Sequence, residues 1–211
     1  MVITHHGAEF FKITFGDTTL AVNPISKSSK LPQTRFGADI VLISMLDPVF
    51  DGVENVTYGE KQPFVVQGPG EYEVKKIFIR GSGEKSKLGE EERQGTVYAI
   101  EMEGMHLAFL GPLSSRKLSP QTMTLLENID ILFVPIGGEG VLTASDAHEL
   151  AVELEPRLII PMHYEGIGKP GALKAFLKEE GAEGTKPIEK LTLKKKDLEG
   201  KEGEVVVLNS L

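Results

Sequence analysis

Cysteine and tryptophan are both absent from this 211-residue chain, and no long apolar run occurs in it. Without cysteine, the chain cannot form disulfides, use a thiolate nucleophile or bind zinc through sulfur. Every apolar stretch falls short of the roughly 18 residues that a membrane-spanning helix needs. The opening segment lacks the basic and apolar regions of a signal peptide. We therefore expect a cytoplasmic protein that does not bind a membrane.

An excess of positive charge is lacking as well, because the formal net charge is -8. Nucleic-acid surfaces need clustered Lys and Arg to neutralise phosphates, so we expect no nucleic-acid partner. Hydrophobic residues at 40% and charged residues at 26% are typical of a globular chain. This length is sufficient for a sizeable core, and no long linker divides it. The sequence predicts one domain over residues 1–211.

Strand signals dominate the first half of the chain. The apolar and alternating patterns predict strands at residues 10–15, 18–22, 39–44, 63–67, 71–80, 96–102 and 106–110. The pairs 10–22 and 96–110 each contain a turn signal and predict hairpins. Residues 81–95 are rich in glycine and charge, which predicts a mobile surface connection.

Helix signals appear only in the second half. Helices are predicted at 119–127, from the cap Ser145 to about 155, and at 172–180, with strands at 130–135, 157–161, 190–195 and 204–208. Apolar strands joined through helices indicate a sheet with helices packed on it. The first half indicates a second, largely antiparallel sheet. The predicted fold class is α/β, a four-layer αββα sandwich.

His163 is the best placed of the five histidines, because it follows an apolar strand in LIIPMHYEG. Sites gather at the carboxyl ends of strands in α/β sheets, although a half-buried structural histidine fits the same position. His5 and His6 point to opposite faces of a strand, so at most one faces a site, and a surface pair is the expectation. His106, at the start of an edge-like strand, is predicted to be structural, and His148 is predicted to be an exposed or half-exposed residue of a helix.

Carboxylates could contribute oxygen ligands. Asp47 and Asp51 lie in one loop after strand 39–44, and Glu71 follows a Gly-Pro-Gly turn. Oxygen ligands favour hard cations such as magnesium, calcium or manganese over zinc. An aspartate in a proline-containing loop is more often a turn former. The sequence contains no nucleophile elbow, P-loop or dinucleotide fingerprint.

Taken in order, five segments resemble the metallo-β-lactamase superfamily, and within it a small metal-dependent hydrolase-like group. They are HHGAEFFKITFGDTTLAVNP, ADIVLIS, VVQGPGEYEV, MEGMHLAFLGPLS and IDILFVPIGGEGVLTASDAHELAVELEPRLIIPMHYEG. The likeness extends over essentially the whole chain. The last segment is the most specific, with Pro-Met-His-Tyr ending in Tyr164. The resemblance implies a metallo-β-lactamase-like sandwich.

The metal motif of that family is altered in this sequence. Active relatives carry Thr/Ser-His-x-His-x-Asp-His after the second of these segments. Aligned from Ser44, its four ligand positions are occupied by Met45, Asp47, Val49 and Phe50. The later Gly-Asp becomes Gly111-Pro112, and Asn23 replaces the aspartate of the opening hairpin. His163 is retained, and His6 matches the opening histidine.

The altered motif implies a protein without the usual dinuclear centre, since Met, Val, Phe and Pro side chains cannot cage two cations. The first hypothesis is a non-canonical or catalytically inactive hydrolase homologue that binds a small ligand or protein partner, with no cofactor. The alternative is a hydrolase of ester, lactam or phosphodiester bonds with one non-standard divalent ion on His163 and Asp47. Its pocket candidates are His6, Asp47, Asp51, Glu71, His163 and Tyr164. Relatives of this fold often form homo-oligomers.

Overall fold

A computed structural model describes residues 1–60, 62–88 and 92–211. Their β-strands, numbered along the chain, form two sheets. The first sheet has the spatial order β12 (Leu191–Thr192), β1 (Val2–His5), β2 (Phe11–Phe15), β3 (Thr18–Val22), β4 (Ile40–Ile43), β5 (Phe64–Gln67). The second has the order β13 (Glu204–Val205), β11 (Leu158–Met162), β10 (Ile131–Pro135), β9 (Met105–Phe109), β8 (Arg93–Met102), β7 (Ile77–Ser86), β6 (Gly70–Val74).

The two sheets face each other, and the largest apolar cluster lies between them. It includes Phe11, Leu42, Tyr98, Phe109 and Phe133, all of which are buried. A second cluster lies under the helices that cover the outer face of the second sheet. These helices are α2 (Pro120–Leu125), α3 (Ala144–Leu154) and α4 (Ala172–Glu179), whereas α1 (Val53–Val56) lies on the first sheet. A third cluster joins the first sheet to α1 and to loop 24–38. The predicted αββα architecture is confirmed.

Several predicted elements are confirmed with small shifts. The hairpins β2–β3 and β8–β9 are present, and α2 begins at Pro120 behind the cap Ser119. Helix α3 begins two residues earlier than predicted, because the side chain of Thr143 rather than that of Ser145 accepts from the N–H of Asp146. None of the helices in the described part of the chain has the length and apolarity to cross a membrane.

Two predictions about residues 71–95 are wrong. The strand 71–80 is a hairpin of β6 and β7 that turns at Lys75 and Lys76, both at positive φ. The predicted mobile connection 81–95 is mostly β-ladder, since β7 pairs with β8 from Ser82↔Val97 to Ser86↔Arg93; residues 89–91 lie outside the described residues. Glycine serves close packing at Gly81 of that ladder, because an added Cβ would lie 3.0 Å from the carbonyl oxygen of Gly68.

The first sheet is mixed rather than largely antiparallel. Strands β1, β2 and β3 are antiparallel, whereas β3, β4 and β5 run parallel to one another. The connections between these parallel strands cross over as loop 24–38 and the segment with α1, and neither is a long helix whose period could be detected in the sequence.

In the second sheet, strand β9 lies between β8 and β10, so the prediction of an edge-like position for His106 is wrong.

Candidate functional site

Loops that follow strands of both sheets meet at one end of the sandwich. Four buried side chains from these loops come together there, each at most 2% exposed: Glu9 between β1 and β2, Asn23 after β3, Ser44 after β4 and His163 after β11. We refer to these four residues as the polar cluster. In α/β sheets, functional sites gather at the ends of strands. His163 lies at such an end, as its position after an apolar strand predicted.

Hydrogen bonds connect the polar cluster into one chain. Nδ1 of His163 lies 2.7 Å from Oε1 of Glu9, and because an ionised carboxylate only accepts, the Nδ1–H donates. The amide nitrogen of Asn23 donates to Oε2 of Glu9 at 2.9 Å and to Oγ of Ser44 at 2.7 Å. The backbone N–H of Ser44 donates to Oδ1 of Asn23 at 2.8 Å. The Asn23 amide is thus fully used within the cluster.

Two members of the polar cluster have left-handed backbone. Asn23 has φ +48° and His163 has φ +61°. Asparagine adopts this region readily, whereas for histidine it costs about 1–2 kcal/mol. The N–H of His163 donates to the carbonyl of Ala8 at 2.9 Å and so fixes this geometry. Gly137 packs against the same turn, where a Cβ would lie 2.1 Å from the His163 carbonyl oxygen. Such strain persists only where the surroundings hold it.

Apolar side chains occupy the loop positions that align with metal ligands. Phe50 is fully buried, and its ring centroid is 6.2 Å from that of His163. Met45 is only 4% exposed, and Pro112 is buried. Gly111 lies so close to Ser44 that an added Cβ would be 2.8 Å from its Oγ. This end of the sandwich is therefore packed as a core.

Asp47 acts as a turn former. Its Oδ1 accepts from the N–H of Val49 at 3.0 Å, and its Oδ2 accepts from Nη1 of Arg93 at 3.0 Å. Burial raises the pKa of Asp51, with further contributions from the charges of Asp47 and Glu54. Both aspartates are half-buried in the loop after β4. The described contacts of Asp47 connect it to β8 rather than to His163.

The prediction of a surface pair at His5 and His6 is wrong, since the two residues are 1% and 7% exposed. His5 stacks on Phe11 in the core between the sheets, with centroids 4.7 Å apart. His6 packs on the other side of the first sheet against Phe10 and Phe36, at 5.1 and 5.6 Å. The opening histidines thus lie in apolar packing, on opposite faces of one strand as expected.

The remaining candidates lie apart from the polar cluster's hydrogen bonds. Glu71 is exposed on the edge strand β6. Tyr164 is half-buried, its hydroxyl donates to the carbonyl of Leu208 at 3.4 Å, and burial raises its pKa. The Nδ1–H of exposed His106 donates to the carbonyl of Asn128 at 3.2 Å, and Nδ1 of His148 lies 3.1 Å from Oε1 of Glu180. His148 is half-buried on α3, which confirms the prediction of an exposed or half-exposed helix residue, and a structural role for His106 stays a prediction.

Glu9 is the cluster member that sequence analysis did not mention, whereas Asn23 and Ser44 were named only as aligned positions of the family motif. Glu9 carries one detectable signal: it is the single acidic residue in the apolar stretch HHGAEFFKI. A buried carboxylate needs a partner, and that partner, His163, is 154 residues away in the chain. No spacing rule relates two positions so far apart.

The residues at this end of the sandwich do not fit a dinuclear metal centre. Across residues 1–60, 62–88 and 92–211, no group of three or more His, Asp or Glu side chains converges to hold a metal ion. Such a centre needs about three ligands for each ion. The Glu9 carboxylate and Nδ1 of His163 are already engaged with each other, and Phe50 supplies no lone pair.

The family model described as the beta-lactamase superfamily domain matches residues 2–163, a span that begins with β1 and ends at His163. The chain belongs to the β-lactamase superfamily. The chain is 25% identical to a UPF0173 metal-dependent hydrolase of Listeria monocytogenes, and the match covers 78% of the chain and 85% of the relative. A UPF0173 protein of Pyrococcus abyssi is 36% identical over 61 residues, 29% of each chain.

Solved structures of the superfamily share the fold. A protein of Thermotoga maritima, assigned to the zinc-dependent hydrolases of the metallo-β-lactamase superfamily, superimposes with a TM-score of 0.78. It is 26% identical, and the match covers 98% of this chain and 97% of that one. The metallo hydrolase Igni18 of Ignicoccus hospitalis gives 0.68 at 15% identity, over 99% and 95% of the two chains, and shows the fold alone. The resemblance found in the sequence is confirmed.

Proposed function

We propose that this β-lactamase superfamily protein is a non-canonical, catalytically inactive hydrolase homologue that binds a small ligand or a protein partner. The observation that carries the proposal is the pairing of His163 with Glu9 beside the buried ring of Phe50. At the end of the sandwich where the family motif aligns, the side chains satisfy one another by hydrogen bonds and apolar contact. Nothing in that arrangement requires an ion for its stability.

The chemistry of the substituted positions supports the proposal. A dinuclear centre acts by lowering the pKa of a bound water and clamping the reacting oxygens, which needs several donors with lone pairs. Met45, Phe50 and Pro112 are buried and supply none apart from one thioether. The strand framework around these positions is retained. In the absence of a dinuclear centre, we expect the function to depend on the surfaces of the retained fold, which can bind a ligand or a partner.

A second candidate function is a metal-dependent hydrolase with a reduced site. The names of the Listeria and Thermotoga relatives favour it, and so does the Glu9–His163 pair. Carboxylates often accept a hydrogen bond from one ring nitrogen of a metal-binding histidine and so orient the other nitrogen. With Glu9 on Nδ1, the nitrogen left for a single ion would be Nε2 of His163.

Metal analysis of protein purified without chelator separates the two functions. We expect the zinc, manganese and iron content to be far below one ion per chain. We also expect the melting temperature to be the same with and without EDTA. Stoichiometric metal that disappears in His163→Gln would overturn it. Exposed His106, changed to Gln, is the matched control, because it removes an imidazole elsewhere on the surface.

A further inference from the structure

A cationic, aromatic groove lies on the outer side of the first sheet, away from the polar cluster. It is formed by loop 24–38 and the segment around α1, and its volume is about 560 Å³. Its lining residues are Lys27, Arg35, Phe36, Gly37, Glu54, Thr57 and Tyr58. We refer to it as the cationic groove. Its volume falls in the range of about 300–1,000 Å³ typical of small-molecule sites.

The charge of this groove is opposite to that of the whole chain. Between Asp17 and Asp39 the sequence contains three basic residues, Lys27, Lys30 and Arg35, and no acidic one, in a chain of net charge -8. The side chains of Lys27 and Arg35 are exposed and form no ion pair within the described part of the chain. Cations that outnumber the acidic groups of a concave surface concentrate the field and attract anions.

Glu54 is the one acidic residue that lines the groove, and its carboxylate is used to hold the loop. Its Oε1 accepts from the N–H of Lys27 at 2.7 Å and from Oγ of Ser26 at 3.0 Å. Burial alone would raise the pKa of Glu54, but these hydrogen bonds outweigh it and the pKa is lowered. The ionised carboxylate therefore positions Lys27 at the groove and leaves a net positive charge there.

The two walls of the groove are joined by hydrogen bonds, so its shape is fixed by the fold. The N–H groups of Phe36 and Ala38 donate to the carbonyls of Asn55 and Val56 at 3.2 and 2.8 Å. The buried amide of Asn55 donates to the carbonyl of Ile25 at 2.8 Å. These contacts tie loop 24–38 to α1 on both sides of the groove.

Aromatic surface lines the groove beside the cations. Tyr58 is 77% exposed, the largest exposed fraction among the chain's large hydrophobic side chains. A Cβ added at Gly37 would lie 3.2 Å from the Cβ of Tyr58, so the glycine allows Tyr58 to pack closely on loop 24–38. Flat rings stack on exposed aromatic side chains, and the arginine fork matches phosphate oxygens.

We infer that the cationic groove binds a small phosphomonoester that carries a flat aromatic ring. Arg35 and Lys27 contact the phosphate, and the ring stacks on Tyr58. This inference rests on the proposed binding function and gives it a ligand class and a place. The groove is built from residues outside the polar cluster, so binding there does not depend on the state of His163.

Isothermal titration calorimetry with adenosine monophosphate, adenosine and inorganic phosphate tests the inference. We expect the monophosphate to bind at least about tenfold more tightly than either fragment, with affinity that falls as salt is added. Arg35→Gln should weaken binding by about tenfold or more, since it removes a charge-assisted bidentate contact. Tyr58→Ala should weaken it as well, and Tyr58→Phe should retain it.

Lys174→Gln on α4 is the matched control, because it removes one exposed positive charge outside the groove and should leave the affinity unchanged. Arg35 is exposed, so its variant should melt at the wild-type temperature. The inference is overturned if the monophosphate does not bind, if phosphate binds equally tightly, or if Arg35→Gln has no effect. Stoichiometric metal in protein that still binds the monophosphate would overturn the proposed function alone.

Discussion

Oε1 of Glu9 and Nδ1 of His163 lie 2.7 Å apart, although 154 residues separate them in the chain. The pair joins the β1–β2 turn of the first sheet to the loop after β11 of the second. Neither side chain is more than 3% exposed. A buried carboxylate and imidazole are costly to desolvate, so each depends on the other, and the loss of one leaves an uncompensated polar group. The pair therefore holds the two sheets together at the end where the superfamily motif lies.

Glu9→Ala should destabilise the protein strongly for that reason. Removal of one partner of a buried pair costs about 3–5 kcal/mol of unfolding free energy. Urea unfolding followed by circular dichroism at pH 7 measures it. Glu71→Ala is the matched control, because Glu71 is exposed on the edge strand β6 and should change stability by less than about 0.5 kcal/mol. Equal stability of the two variants would show that the pair of Glu9 and His163 does not stabilise the fold.

Phe50→His should destabilise the protein rather than create a zinc site. The substitution returns an imidazole to the position that the superfamily motif assigns to histidine. In this chain, however, Phe50 is fully buried in apolar packing, and burial of a polar group without a partner costs about 1–3 kcal/mol. Urea unfolding with and without added zinc measures both effects. Phe78→His, at a residue that is 46% exposed, is the control. Wild-type stability, or a large stabilisation by zinc, would contradict the prediction.

The fold could be predicted from the sequence wherever a period or a turn signal decides the element. Helix α3 has buried positions Ala147, Leu150, Ala151 and Leu154, a spacing typical of an amphipathic helix. The ladder of β7 and β8 could not be predicted, because its glycines and charges are typical of a loop. Its order depends on cross-strand partners, such as Glu84 opposite Gly95, that a single strand does not reveal.

The candidate site was predictable only in part, for a different reason. His163 could be found because its position after an apolar strand is a local property. Glu9 could not, because what makes it special is its burial beside a residue far away in the chain. The exposure of His6 was predicted wrongly because the cover over it, Phe36, belongs to loop 24–38, which has no regular period. Tertiary contacts decide both cases.

Acid should weaken the fold through the opening histidines. Burial lowers the pKa of His6 to about 4 from an unfolded value of 6.5, with smaller contributions from the charges of His5 and Lys12. The unfolded chain therefore binds more protons between these values, so the unfolding free energy is fully present above pH 6.5 and decreases as the pH falls towards 4. Urea unfolding across pH 4–7 measures the slope, which should be smaller in His6→Gln.

The control for the acid experiment is His106→Gln, which removes an exposed imidazole. It should have the wild-type slope, because it changes an exposed side chain outside the apolar packing of His5 and His6. His5 also has its pKa lowered by burial, so part of the slope should remain in His6→Gln. A slope identical in His6→Gln and the wild type would contradict the assignment to His6.

Asn23→Asp tests whether the polar cluster tolerates the aspartate that the resembled hydrolases carry. The substitution removes the two hydrogen bonds that the Asn23 amide donates to Glu9 and Ser44, and it places a second carboxylate about 2.9 Å from the first. We expect a loss of about 2–4 kcal/mol of unfolding free energy at pH 7. Two carboxylates this close raise the pKa of one of them, so stability should recover as the pH falls towards 5.

Asn128→Asp is the matched control for this change, since Asn128 also has positive φ, at 59°, but is exposed. Its unfolding free energy should stay within about 0.5 kcal/mol of the wild type at every pH. Because the backbone conformation and the substitution are the same, the difference between the two variants isolates the buried carboxylate pair. If Asn23→Asp kept wild-type stability at pH 7 and bound zinc, the cluster would accept a cation, and the metal-dependent hydrolase would become the better function.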